Sequence, residues 1–164
     1  MSAKSIFTLG LAATGAGLYF VLVSIGVLPI PGGTAALHGP LWIVFCAGLA
    51  FLLAGLALLI RMAAGGSAED GELPPSAPRW MRFAQYLFGL AIFGCFGLIG
   101  SWIAFGAGPR HFSMSGFLIG NPGEMFGRTM FGIGAMVIWL CMIAMAVAGA
   151  RKLLGRDKVQ RDKV

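Results

Sequence analysis

Charge is what this sequence most lacks. From Ser5 to Ile60 there are 56 consecutive residues without an Asp, Glu, Lys or Arg; Phe83–Pro109 is a second such run of 27, and Thr129–Ala150 a third of 22. Charged residues make up 11% of the chain, against about a quarter in soluble domains, whose surfaces need them for solvation. The scarcity excludes a soluble domain. A bilayer core explains it, because an ionised side chain at mid-membrane costs several kcal/mol. The hydrophobic fraction of 58% and the mean hydropathy of +0.86 agree.

Other scarcities narrow the chemistry. There are six acidic residues, and none lies at mid-depth in an apolar run. Ion-coupled transport ordinarily uses an ionisable side chain inside the membrane, and a small-multidrug-type exporter would need a glutamate in the first apolar run. There are two histidines, His38 and His111, both in connections between runs; haem held in a helical bundle needs histidines projecting inward. The three cysteines, Cys46, Cys95 and Cys141, fall singly within apolar runs and read as small packing residues. A quinone-linked disulfide enzyme would instead need cysteine pairs near an aqueous face. The chain contains no phosphate loop, zinc-protease signature, nucleophile elbow or triad. The expectation is a protein that is not an enzyme and holds no cofactor. The net charge of +6 does not indicate nucleic acid, because the basic residues flank the apolar runs, where they set topology.

What the chain does have is four membrane spans. About 20 apolar residues cross the hydrocarbon core, so the 56-residue run is too long for one helix. Pro29, Pro31, Gly32, Gly33, Gly39 and Pro40 divide it. The expected spans are 5–30, 41–61, 78–106 and 122–150. Between them lie a cytoplasmic linker at 62–77 and an external loop at 107–121, and a basic tail follows at 151–164. The first run, some 24 residues long, exceeds the h-region of a cleaved signal peptide and reads as a retained helix. Gly39-Pro40 and Ala77-Pro78 place proline at helix starts. Asn121-Pro122-Gly123-Glu124 reads as a cap, a proline at the first helical position and a carboxylate at the third. Glu124 and Arg128 are one helical turn apart and are expected to pair.

Basic residues orient the spans. Lys4, Arg61, Arg79 and Arg82 at the two ends of the linker, and six tail residues put ten of the twelve on one side, leaving Arg110 and Arg128 on the other. The positive-inside rule then places both termini in the cytoplasm, as an even number of spans requires. The short 31–39 connection makes the first two helices antiparallel neighbours.

Small residues recur at helical spacing: Gly10 with Thr14, Ala13 with Gly17, Ala50 with Ala54, Gly97 with Gly100 and Ala104, and Ala144 with Ala148. They are expected to pack helix on helix within the chain, or else between copies of it. Trp42, Trp80 and Trp102 fall near span ends, as an aromatic belt requires. Thr8, Thr14, Ser24, Gln85, Tyr86 and Ser101 are the polar residues at depth, suited to bonding backbone carbonyls or bridging helices. The segment 107–128 mixes polar and apolar residues, and is where a site is expected: Arg110, His111, Glu124 and Arg128 are the candidate residues. His111 and Met114, with Met125 and Met130, are the one soft donor set the sequence offers for Cu(I).

Two stretches carry a resemblance. One is Gly39-Pro40-Leu41-Trp42 leading into Phe45–Gly55. The other runs from Trp102 through Gly108-Pro109-Arg110-His111-Phe112-Ser113, with Gly127–Gly132 following. Together they resemble small four-span inner-membrane proteins of proteobacteria, over helices two to four. The resemblance implies a bacterial inner membrane and brings no activity with it. The reading is therefore an all-α polytopic membrane protein, a four-helix transmembrane bundle in one domain, multi-pass in the inner membrane. Its expected role is that of a non-enzymatic accessory, assembly or scaffold subunit that contacts membrane lipid and a protein partner or further copies of itself, with no nucleic acid. The alternatives are a homo-oligomeric small channel or transporter, and a lipid or metal binder acting through the external 107–128 loop.

Overall fold

Four long α-helices carry the chain in a computed structural model, which describes residues 3–30, 32–33, 40–65, 77–107 and 124–161; the side chains of 3, 124, 150 and 152–161 are outside that description. The helices are α1 (Ala3–Ser24), α2 (Leu41–Ala63), α3 (Arg79–Phe105) and α4 (Glu124–Arg161). Each contains a stretch long and apolar enough to cross a membrane: Lys4–Ser24, Leu41–Ala63, Arg79–Phe105 and Met125–Gly149. At about 1.5 Å per residue, even the shortest spans about 30 Å, the thickness of a hydrocarbon core. This is the architecture of a multi-pass membrane protein.

The helix ends follow from glycine and proline chemistry. α1 stops at Ser24, six residues short of the expected Ile30. Gly26 takes φ +78°, and its N–H donates to the Val23 carbonyl at 3.1 Å while the Val27 N–H donates to Leu22 at 2.9 Å. That double bond pattern around a left-handed glycine is the Schellman termination, so the helix ends before the prolines are reached. α2 ends similarly: Gly65, at φ +73°, donates to the Met62 carbonyl at 3.0 Å. At the other end, Pro40 is extended (φ −67°, ψ 143°) and is the N-cap of α2 rather than its first helical residue. Pro78 plays the same part for α3, accepting from Met81 at 3.1 Å. α4 continues unbroken beyond Ala150 to Arg161, so the basic segment expected as a tail is helical over most of its length. Its Lys, Arg and Leu are good helix formers, and cations near a helix C-terminus are favoured by the dipole.

The chain divides into two compact units, residues 1–95 and 96–164. In the first, α1 and α2 run antiparallel with their backbones in direct contact. A Cβ on Gly17 would lie 2.6 Å from the Leu52 Cα and 2.7 Å from the Gly48 carbonyl oxygen. One on Gly48 would meet Phe20 Cβ at 2.8 Å, and one on Gly55 would fall against Thr14 and 2.7 Å from the Gly10 carbonyl oxygen. Only hydrogen fits at these three positions, and such close approach is what holds membrane helices together where lipid removes the hydrophobic drive. The α1 residues Gly10, Thr14 and Gly17 take part as expected; on α2 the contacts are made by Gly48 and Gly55, with Ala50 buried.

In the second unit, the 96–105 part of α3 packs antiparallel on α4. Gly97 faces the Trp139 indole, with a Cβ there 3.0 Å from the ring; Gly100 faces Ala135 at 3.3 Å, and Gly132 faces Ala104 at 3.6 Å. The expected α3 stripe of Gly97, Gly100 and Ala104 is thus the packing face. Its partners are Gly132, Ala135 and Trp139, whereas Ala144 and Ala148 are exposed.

The distribution of side chains is the reverse of a soluble fold. Among the described residues the buried apolar side chains are small, namely Cys46, Ala50, Ala77, Cys95, Ala104 and Ala135, with Val23 the largest. Large apolar side chains lie outward along every helix, for example Phe7 and Leu11 on α1, Trp42 and Phe51 on α2, Phe83 and Phe96 on α3, and Met136 and Leu140 on α4. Small residues inside and large ones outside suit a protein solvated by acyl chains.

Candidate functional site

Any chemistry inside the membrane depends on the polar side chains within the helices. Thr8 donates to the Lys4 and Ser5 carbonyls, Thr14 to Gly10 at 2.8 Å, Ser24 to Val21 at 2.7 Å and Thr129 to Met125 at 2.8 Å. Each returns its hydroxyl to its own helix, satisfying a donor that hydrocarbon cannot. Ser101 differs: its hydroxyl oxygen accepts the Trp139 indole N–H at 3.1 Å, joining α3 to α4. Thr8, Thr14, Ser24 and Ser101 act in the structural roles expected of them.

One concavity stands out, an open groove of about 680 Å³ between the C-terminal end of α3 and the first turns of α4. Ala104 and Phe105 form one wall; Met125, Thr129, Gly132, Ile133 and Met136 form the other, and Arg128 is the charged residue among the lining. Arg128 donates from a terminal guanidinium nitrogen to the Gly106 carbonyl at 3.1 Å. Gly106 directly follows α3, so this bond satisfies a carbonyl at the helix terminus, where carbonyls lack intrahelical partners. It also sets a cation against the negative end of the α3 dipole. The groove therefore has Arg128 at one end and an apolar body.

Of the four candidate residues, Arg128 alone falls fully within the described residues. Arg110 and His111 lie outside them, as does the side chain of Glu124, and with it the expected Glu124–Arg128 pair. The contact to Gly106 was not foreseen; no local pattern connects position 128 to position 106. Of the possible Cu(I) donors, Met125 lines the groove and is exposed, as is Met130, while His111 and Met114 lie outside the described residues. Among the described residues no three of His, Cys, Asp or Glu come together.

The structure does bring together one pair far apart in sequence. Cys46 of α2 and Cys95 of α3, both buried, are neighbours whose thiols interact. Their only signal in the sequence is that each sits alone within an apolar run. Cys141 is exposed on α4.

No protein-family model, curated protein or solved structure matches this chain.

Proposed function

We propose that the protein is a non-enzymatic integral membrane subunit, serving in the accessory, assembly or scaffold role for a complex of the bacterial inner membrane. In this reading the four spans form one bundle with both termini in the cytoplasm, and Arg110 and Arg128 lie on the external side, as the uneven distribution of basic residues favours. The observation that carries the reading is the use made of polar groups within the spans. The hydroxyls of Thr8, Thr14, Ser24 and Thr129 are bonded to their own helices, and Ser101 and Trp139 bridge two helices. At these positions the polar side chains hold helices, which supports a structural role. The outward apolar surface supports it as well. On α4, Met136, Val137, Leu140, Ile143 and Val147 are all exposed, giving a broad face for lipid or for another membrane helix.

Native mass spectrometry of the protein extracted from its own membrane in mild detergent tests this proposal. Added mass matching a different polypeptide is the expected result. A homo-oligomer free of other chains, together with ion or solute flux in liposomes containing this protein alone, would replace it with a channel or transporter.

A further inference from the structure

We infer that the start of α3 binds an anionic glycerophospholipid, its phosphate held between Arg79 and Arg82 and an acyl chain laid along Phe83 and Leu87. The inference does not depend on the subunit role proposed above.

Depth is the first argument. α3 runs for 27 residues, about 40 Å at about 1.5 Å per residue, which is a hydrocarbon core of about 30 Å together with part of the headgroup layers. Its uncharged part, Phe83–Phe105, measures about 34 Å and fills the core. Arg79 and Arg82 therefore stand at its edge, where phosphates lie. Trp80, between them in sequence, is 61% exposed, and an indole prefers the same layer. Helical side chains tilt toward the N-terminus of their helix. Here that tilt carries both guanidinium groups outward, away from hydrocarbon.

Pairing is the second argument. Residues three apart on a helix are neighbours, about 5–6 Å between Cβ atoms. Among the described side chains the charged ones are Lys4, Arg61, Arg79, Arg82, Arg128 and Arg151, and Arg79 and Arg82 are the two that share a turn. Both are exposed, and among the described residues neither guanidinium has a protein partner. Like charges one turn apart destabilise a helix. A phosphate between them turns that repulsion into two attractions, and each planar fork matches phosphate oxygens. The donors are the side chains rather than the helix end, because the Met81 and Arg82 amides are bonded to the Pro78 carbonyl at 3.1 and 3.4 Å.

The flank supplies the apolar part. Trp80, Phe83 and Leu87 recur at i, i+3 and i+7 and so share a face, and all three are exposed. Phe83 follows Arg82 directly and lies one turn on from Arg79. The face leads from the arginines toward the bilayer centre, the direction an acyl chain takes from its headgroup. Charge selects the lipid: two cations favour a headgroup with net negative charge, whereas a choline would bring a third cation beside them.

The test is native mass spectrometry of the full-length protein in mild detergent, titrated with phosphatidylglycerol or with phosphatidylcholine of identical acyl chains. Wild type is expected to retain phosphatidylglycerol about thirtyfold better, the ratio two basic residues provide near a membrane surface. Arg79→Gln and Arg82→Gln are each expected to leave about a fivefold preference, and the double variant none. Arg151→Gln, which removes a single arginine at the end of another span, is expected to keep the wild-type ratio. Phe83→Ala/Leu87→Ala, which strips the apolar flank and leaves both arginines, is expected to reduce retention of both lipids. Inorganic phosphate in large excess is expected to leave phosphatidylglycerol bound. Equal retention of the two lipids by wild type, the outcome if Glu69, Asp70 and Glu72 of the linker occupy the arginines, overturns the inference. So does a preference that survives the double variant, one lost in Arg151→Gln, or unchanged retention in Phe83→Ala/Leu87→Ala. Displacement by inorganic phosphate overturns it too, since the ligand would then be a free anion. Should the double variant fail to fold, as judged by its thermal transition, the single variants decide: a wild-type preference in both overturns it.

Discussion

The two helix pairs solve the same problem by different means. α1 and α2 meet backbone to backbone, with Gly17, Gly48 and Gly55 each admitting no Cβ. The second half of α3 meets α4 through side chains: a tryptophan laid on Gly97 and bonded to Ser101, and an arginine tied to the Gly106 carbonyl. In lipid, where apolar association gains little from excluding water, contact must come from close van der Waals approach or from polar groups that find partners. The first pair brings its backbones into contact at three glycines. The second accepts wider spacing and adds polar links, and its open end is the groove. The comparison shows that a glycine-rich composition does not imply one mode of packing; what matters is which glycines face a neighbouring helix.

Substitutions that distinguish the two modes give effects of decreasing size. Gly17→Ala or Gly48→Ala should cost about 1–3 kcal/mol, the usual range for overpacking, because the added methyl meets backbone that cannot rotate away. A lower thermal transition in detergent would register it. Trp139→Phe keeps most of the ring and loses the bond to Ser101; about 0.6 kcal/mol is expected, the average for a hydrogen bond between membrane helices. Ser101→Ala should cost a similar amount, and the double variant no more than either single one; additive losses would separate the two residues. Arg128→Ala removes the cation at the end of α3 and should cost about 0.3–1 kcal/mol at low ionic strength. Because the group is partly exposed, that loss should shrink as salt is added, whereas the glycine effects should not. At the bottom of the scale, Gly15→Ala and Gly134→Ala meet no atom within 4 Å and should leave the transition in place or raise it slightly, since alanine is the better helix former.

Much of this fold was legible in the sequence, because lipid imposes a strong one-dimensional pattern. The uncharged runs and the prolines between them give four helices at nearly the observed positions, and the short first connection gives antiparallel α1 and α2. The end of α1 was expected at the prolines, near Ile30; it is set instead by Gly26, whose left-handed conformation stops the helix at Ser24, before Pro29 and Pro31 are reached. The packing stripe of α3 could be read from Gly97, Gly100 and Ala104. That of α2 could not, because Gly48 and Gly55 are two among 26 glycines and nothing local marks them as facing α1. On α4 the small pair Ala144 and Ala148 is exposed, and the contact is made by Gly132, Ala135 and Trp139, a stripe beginning with another unmarked glycine. The candidate site was legible only as a region. Arg128 was singled out, but its bond to Gly106 joins the ends of two helices across a loop, and such a relation has no signature along the chain. The same is true of Cys46 and Cys95.

The close approach of α1 and α2 is tested most directly by comparing two glycines on one helix face and its opposite: thermal unfolding in detergent of Gly17→Val beside Gly15→Val. The two carry the same chemical change two residues apart. The account predicts a clearly lowered transition for Gly17→Val and one close to wild type for Gly15→Val. Equal shifts for the two variants would contradict it.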